Sequence, residues 1–260
     1  MEHSDKFYVQ SVHRALGLVD AIAKEDKAGV TLTELAAKTQ LPPSTAYRLL
    51  ENLKAWQYVS QDADGRYYLG LELTLLGKLV RRGNRLDDAA RPILMRLSEE
   101  TGQTIYLGML DLAARDVVYA DKIEGKGNIR LASKIGTRNL LHSTANGKIL
   151  MGDFDRTTIL SLLSATGMPA LTDKTITDPE EYLAQVEEAR RLGYAFDLEE
   201  NEKNIICVSA PIRDRRGCII AAVSVSGVQG ITMTGHPEQF VENVLSAARD
   251  ISEKLGYKPA

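Results

Sequence analysis

Leu41-Pro42-Pro43-Ser44-Thr45-Ala46-Tyr47-Arg48-Leu49-Leu50-Glu51-Asn52-Leu53 is the stretch on which the reading of the fold turns. Pro42-Pro43 suits the first turn of a helix, where the missing N–H would have no partner anyway. At about 100° per residue, Ala46, Leu49, Leu50 and Leu53 then fall on one apolar stripe. Ser44, Arg48, Glu51 and Asn52 point away from it, with Thr45 and Tyr47 on the flanks. Working backwards, Gln40-Leu41 is a two-residue break after a helix announced by Thr31-Leu32-Thr33-Glu34, in which Thr31 can cap and Glu34 can reciprocate. Val12 to Lys24 carries a further helical period. Working forwards, Tyr58–Gln61 and Arg66–Leu69 read as short strands around Asp64-Gly65, a hairpin turn pair. Helix, helix, short break, helix, hairpin is the order of a winged helix-turn-helix.

Beyond the hairpin, Leu71 to about Arg82 reads as an amphipathic helix with Leu71, Leu75, Leu76 and Leu79 on one side, a linker to a second domain. Helices are expected near Leu86–Glu100, opening at Ser143–Gly147, over Pro179–Leu192 and over Pro237–Leu255. Strands are expected at Thr104–Leu110, Val117–Lys122, Ile205–Ile212 and Cys218–Ser226. Helices and strands mixed in this way predict an α+β domain with a mostly antiparallel sheet. No internal repeat or low-complexity segment is present.

The outward face of the helix after Pro43 offers Ser, Thr, Tyr, Arg and Asn, groups that suit a DNA groove better than a protein partner. Arg48 can read a guanine edge in two bonds, Ser44 and Thr45 can reach a phosphate or base, and Arg66 in the wing can grip the backbone or minor groove. The charge balance lends little help. Residues 1–82 hold 11 Lys/Arg against 10 Asp/Glu, and residues 83–260 hold 21 against 25. Phosphate affinity must therefore come from local charge placement, and weak non-specific binding is expected. Met1–Lys6 lacks the apolar core of a signal peptide, no apolar run approaches a membrane span, and the only cysteines are Cys207 and Cys218. These features predict a cytoplasmic chain with no membrane contact and no disulfide framework.

Several chemical signals fail. Gly147-Lys148 suggests a phosphate loop, but the motif needs glycine at His142 and Ser or Thr at Ile149. His3, His13, His142 and His236 have no metal-ligand spacing, and Ser143 and Ser209 lie in no nucleophile elbow. No metal, cofactor or catalytic residue is expected, and His142 reads as a helix-entry or packing residue. The rival class, an enzyme on a GAF-like scaffold, would be separated from a DNA-binding regulator by a hydrolase screen.

The run Gln10-Ser11-Val12-His13-Arg14-Ala15-Leu16 resembles the opening of IclR-family regulators. Thr33-Glu34-Leu35-Ala36 and Leu41–Leu50 are similar to that family's two helix-turn-helix motifs, and Tyr67-Tyr68-Leu69-Gly70 to its wing ending. In the back half, His142-Ser143-Thr144-Ala145-Asn146-Gly147-Lys148 resembles "H-x-T-A-x-G-K". Gly193-Tyr194-Ala195-Phe196-Asp197 with Glu199-Glu200 resembles "G-Y-A-x-D-x-E-E". Cys207–Ile212 and Ala221–Gly227 resemble its paired C-terminal strand motifs. The match runs in order over about residues 9–256. Asn146 departs from a small apolar residue, and Asn139 from an apolar residue in the pocket-rim loop.

The resemblance implies a winged helix-turn-helix (residues 1–70), a linker helix (71–83) and a GAF-like α/β effector-binding domain (84–260). It also implies a homodimer, often a pair of dimers, on partly palindromic double-stranded operator DNA, acting as repressor or activator. The exposed linker stripe agrees with a partner chain. Arg14, Thr33, Ser44, Thr45, Tyr47, Arg48 and Arg66 are the DNA-contacting candidates.

For the effector, Ser224 and Ser226 are two apart on a strand and face one side, as do Ile205 and Cys207 on its neighbour. Asp197 is expected just before that neighbour, able to accept from a ligand hydroxyl. The Thr144–Gly147 turn opens a helix whose free N–H groups favour a carboxylate. Taken singly, Ser224 and Ser226 could be satisfied core serines and Cys207 a small apolar filler. The family's pocket lining carries over to Leu131, Ala145, Asn146, Asp197, Ile205, Cys207, Ser224 and Ser226. Lys122-Ile123, Asn128-Ile129-Arg130, Ile135-Gly136, Arg138-Asn139 and Ser143-Thr144-Ala145 further resemble the sugar-acid (2-keto-3-deoxygluconate type) members. The expected effector is a small hydroxylated or 2-keto carboxylate, with Asn146 adding a hydroxyl contact and an aromatic acid as the alternative.

Overall fold

Thr31 and Glu34 cap each other across the first helical turn: Thr31 Oγ1 accepts from the Glu34 N–H at 3.3 Å, and the Glu34 carboxylate accepts from the Thr31 N–H at 2.8 Å. This reciprocal pair starts the second helix where the sequence places it. The computed structural model describes residues 9–25, 29–83, 85–126, 130–233 and 237–258. Met1–Lys6, Gly127, Asn128, Ile129 and His236 of the sequence reading lie outside the described residues. The chain divides into two units, Met1–Asn84 and Arg85–Ala260.

The first unit contains α1 (Gln10–Ala23), α2 (Leu32–Thr39), α3 (Pro43–Ala55), β1 (Val59–Gln61), β2 (Tyr67–Leu69) and α4 (Leu71–Gly83). Gln40 ends α2 in the left-handed conformation, with φ 55°, and Pro42 and Pro43 open α3. Leu18 and Ile22 of α1, Leu35 and Ala36 of α2, and Ala46 and Leu50 of α3 pack with Val30, Leu41, Val59 and Tyr67 into one core. Leu49 and Leu53, the outer members of the predicted stripe, are half-buried against it. The β1–β2 hairpin turns at Asp64-Gly65, and Val30 adds a short bridge to Tyr67.

The second unit comprises α5 (Arg85–Thr101), β3 (Thr104–Asp111), β4 (Asp116–Ile123), β5 (Arg138–Leu140), α6 (Ala145–Leu150), α7 (Arg156–Thr166), α8 (Pro179–Leu192), β6 (Ala195–Leu198), β7 (Ile205–Arg213), β8 (Ile219–Val228) and α9 (Val241–Lys254). The strands form one six-stranded sheet in the order β5-β4-β3-β8-β7-β6, with every neighbouring pair antiparallel. The period of two divides it cleanly. Ile105, Leu107, Ile206, Val208, Val223 and Val225 face a core made with α5 and α9. Tyr106, Tyr119, Ala195 and Ala222 face the other way, into a second core that includes Ile149 and Leu150 of α6, residues of α7, and Tyr182 and Val186 of α8.

Three elements were not expected from the sequence. Strand β5 is only three residues long, and α7 contains a weak period in Thr157-Thr158-Ile159-Leu160. Strand β6 puts Asp197 on its inward side, so the hydrophobic alternation that would mark a strand is masked. Asp197 precedes the β7–β8 pair, as expected, and does so within a strand of its own, β6, directly opposite Cys207. The helix expected to open near Ser143–Gly147 does so at Ala145, as α6 of six residues, directly after a 3-10 turn over Leu141–Ser143.

Candidate DNA-reading helix and effector site

Because Ala46 and Leu50 are fully buried, the opposite side of α3 must face solvent, and Ser44, Tyr47, Arg48 and Asn52 do. Thr45 is half-buried on the flank. The Arg48 backbone carbonyl accepts from the Asn52 side-chain amide at 2.7 Å, and the Arg48 side chain is exposed. Glu51, read as fully outward, is half-buried and paired with Lys54 at 2.8 Å. Thr33 is exposed on the first turn of α2. Arg66 is half-buried, and its guanidinium donates to the Gly29 carbonyl at 3.2 Å, so the wing arginine is held against the chain entering α2. Arg14 lines a groove with Asp20, Lys38, Thr39 and Leu41.

In the second unit, sheet register explains how the candidate polar residues meet. Asp197, Cys207, Ser226 and Thr104 form one row across β6, β7, β8 and β3. Ala195, Ser209, Ser224 and Tyr106 form the next. Cross-strand partners share a face, so all of these side chains lie on the side covered by α6. Asn146, in the first turn of α6 and 2% exposed, reaches down onto the second of these rows. Its Oδ1 accepts from Ser209 Oγ at 2.6 Å and its Nδ2 donates to Ser224 Oγ at 3.3 Å. Ser226 Oγ is buried with no oxygen or nitrogen partner among the described residues and faces the Cys207 thiol. The Cys207 thiol lies opposite, and burial pushes its pKa up, so it behaves as an inert apolar filler rather than a nucleophile.

Thr144 Oγ1 accepts from the Gly147 N–H at 3.0 Å and fixes the start of α6. Gly147 is obligatory there: a Cβ would stand 1.9 Å from the Leu141 carbonyl oxygen. That carbonyl also accepts from Tyr182 Oη at 3.1 Å, tying the turn to α8. Lys148 follows, 1% exposed, and its ammonium donates to Glu200 Oε1 at 2.7 Å, to the Phe196 carbonyl at 2.8 Å and to Gln185 Oε1 at 3.4 Å. Gly147-Lys148, dismissed as a phosphate motif, is thus the anchor of α6. His142 is fully buried, with Nε2 at 3.1 Å from the Pro169 carbonyl oxygen, and burial lowers its pKa.

Of the carried-over pocket residues, Ala145, Asn146, Asp197, Cys207, Ser224 and Ser226 converge. Leu131 joins them through a narrow cleft that it lines with Thr104, Gly125 and Ser226. Ile205 is half-buried at the strand end, opposite Val228, one row farther out. Ser209, Thr104, Lys148 and Glu200 were not read as parts of this arrangement. Ser209 was within reach of the same period-two argument, standing two residues after Cys207; Thr104 becomes a neighbour only through the β3–β8 pairing.

A winged helix-turn-helix joined to a sheet domain with a buried polar face defines a DNA-binding transcription regulator with an effector-binding domain. Residues 11–63 match the IclR helix-turn-helix domain, and residues 81–253 match the bacterial transcriptional regulator IclR C-terminal domain. The chain belongs to the IclR family. It is 36% identical over 250 residues to the HTH-type transcriptional regulator KdgR of Dickeya chrysanthemi, covering 96% of this chain and 81% of that protein. Against KdgR of Escherichia coli the identity is 35%, covering 96% and 94%. The crystal structure of the Thermotoga maritima IclR superposes with a TM-score of 0.76 at 32% identity, covering 96% of this chain and all of that one. The relatives are transcriptional regulators, and among the described residues no helix is long and apolar enough to cross a membrane.

Asp197 provides a measurable consequence of this burial. Its Oδ1 accepts from the Glu200 N–H at 2.7 Å and from the Asn201 N–H at 3.3 Å. Burial first, and the Glu200 carboxylate second, push its pKa up to about 7, against about 4 for a solvated aspartate. Between those values the folded chain retains a proton that the unfolded chain has released, so this group removes stability as pH rises through the window. Asp197→Asn keeps the acceptor and removes the charge. Its stability relative to wild type is expected to increase between about pH 5 and pH 8 in urea denaturation; a flat or falling difference contradicts the assignment.

Proposed function

We propose that residues 1–70 read a partly palindromic operator through α3 and that residues 84–260 bind a small hydroxylated or 2-keto carboxylate, which modulates operator binding. Residues 71–83 serve as the connecting helix. The protein acts as a non-catalytic regulator in the cytoplasm, without metal or cofactor. The convergence of Asp197, Ser224 and Ser226 on one buried face, with the Ser226 hydroxyl facing only the weakly bonding Cys207 thiol, carries the effector reading. A buried hydroxyl without a partner costs roughly 1–3 kcal/mol, which a ligand acceptor would recover. The similarity to KdgR supports a sugar acid. With only six residues, α6 contributes little dipole, so hydroxyl donors and Asp197 carry more of the recognition than the helix terminus.

On the DNA side, Ser44, Thr45, Tyr47 and Arg48 of α3 form the reading set, with Thr33, Arg14 and Arg66 supporting contacts to backbone. Arg48→Ala should leave folding intact and cost about 1–3 kcal/mol of specific binding. Unchanged affinity for a selected operator in a gel-shift titration would place the reading face elsewhere.

Leu71, Leu75 and Leu79 of α4 are 62%, 44% and 60% exposed, an apolar stripe that supports assembly as a homodimer, with a pair of dimers as the larger state. Two copies would also match two half-sites. Sedimentation at micromolar concentration should give a dimer or tetramer; a monomer with and without DNA refutes this.

Calorimetry with sugar acids, keto acids and aromatic acids tests the effector. Binding of a sugar or keto acid that is weakened at least about tenfold in Ser224→Ala/Ser226→Ala is expected, the scale of losing one or two hydrogen bonds. Binding confined to an aromatic acid, or to an uncharged or cationic compound, would reject the proposed ligand class.

A further inference from the structure

Ser209, Asn146 and Ser224 form a chain of hydrogen bonds with a readable direction. The two oxygens Ser209 Oγ and Asn146 Oδ1 are 2.6 Å apart, a distance that suits O–H···O and is short for N–H···O. The amide oxygen carries no proton, so Ser209 is the donor. Ser209 Oγ also lies 3.1 Å from the Val223 carbonyl oxygen, a longer contact that cannot take the same single proton equally well. The amide nitrogen of Asn146 therefore faces Ser224 Oγ, at 3.3 Å, and donates to it. Gly108 makes room for this amide: a Cβ there would stand 2.9 Å from Nδ2 and 3.0 Å from Cγ of Asn146. Ser224, 2% exposed, has thus filled an acceptor position, and its own proton has no acceptor among the described residues.

We infer that Asn146 is a specificity-determining residue that does not bond an effector hydroxyl itself: it fixes Ser224 as an outward donor, so the floor of the site takes the neutral 2-keto oxygen of the effector in preference to a hydroxyl. This inference rests on the keto-acid reading above. A single neutral donor matches a ketone, which needs one hydrogen bond. A carboxylate placed there would be buried with one neutral partner, a far more costly arrangement. A hydroxyl that accepts from Ser224 cannot return its own proton to the same oxygen and must send it to a further acceptor, such as Ser226 Oγ or Asp197, a demand that a ketone does not make. The acceptor in the neighbouring row, Asp197, is where ligand hydroxyls belong.

The test is calorimetry on the full chain with 2-keto-3-deoxygluconate and with the 3-deoxyaldonate made by reducing its ketone. Wild type should prefer the keto acid by roughly tenfold or more, the scale of one unsatisfied buried group. In Asn146→Ala the Ser224 hydroxyl turns freely, and the preference should fall to within about threefold. Ser209→Ala, which touches no ligand, should act in the same direction because it releases the Asn146 amide to turn over. Thermal unfolding confirms that each variant is folded, and Ser209→Ala carries the test if Asn146→Ala does not fold. Wild-type binding of neither acid overturns the ligand class and this inference with it. Wild-type discrimination that persists in the folded variants overturns the role of Asn146 alone.

Discussion

Lys148 places its ammonium where almost no solvent reaches it, and the effector domain is arranged around that fact. Removing such an ion from water costs several kcal/mol, repaid only if its protons find good acceptors. Glu200, the Phe196 carbonyl and Gln185 are those acceptors, and they come from the loop after β6, from β6 itself and from α8. One side chain of α6 therefore determines where β6 and α8 stand. Once they are placed, Asp197 faces Cys207, Asn146 hangs over the serine rows, and the Leu141 carbonyl closes on Gly147.

The two faces of the sheet divide the labour. Against α5 and α9 the sheet presents valine, isoleucine and leucine, buried in one of the two apolar cores that drive folding of the domain. Towards α6 it presents small polar groups. Ser209, Ser224, Ser226 and Asp197 bury hydroxyls and a carboxyl that an apolar core would not contain. Such a face lowers stability in return for chemical selectivity. Among the described residues, Ser226 Oγ and the second oxygen of Glu200 are two of the five buried side-chain polar atoms in this domain that have no oxygen or nitrogen partner.

The helix-turn-helix unit solves a different problem with different means. Its core is small, formed from three helices and a hairpin, and its local signals are strong: a reciprocal cap at Thr31 and Glu34, a left-handed stop at Gln40, and prolines at the mouth of α3. These fix the phase of α3, and the phase decides that Ser44, Tyr47 and Arg48 face outward. The unit is nearly neutral in charge, so it offers no broad basic field and what it presents on this face is a set of placed side chains.

The sequence by itself determined the elements whose signals are local: the capped and proline-opened helices, the hairpin at Asp64-Gly65, α8 between Pro179 and Gly193, and the period-two runs of β7 and β8. It also carried the family motifs, and with them the expectation of a DNA-binding regulator. It left β5, α7 and β6 unread, because a three-residue strand, a β-branched helix start and a strand with aspartate on its inward side lack the periodicity that marks such elements. Only the tertiary structure decided which rows the serines join. Strand pairing brings together residues such as Thr104 and Ser226, far apart in the chain, and no local pattern encodes that register. The same holds for Asn146. Its departure from the family pattern was visible in the sequence, but its partners were not, since Ser209 and Ser224 meet it only after β7, β8 and α6 have packed.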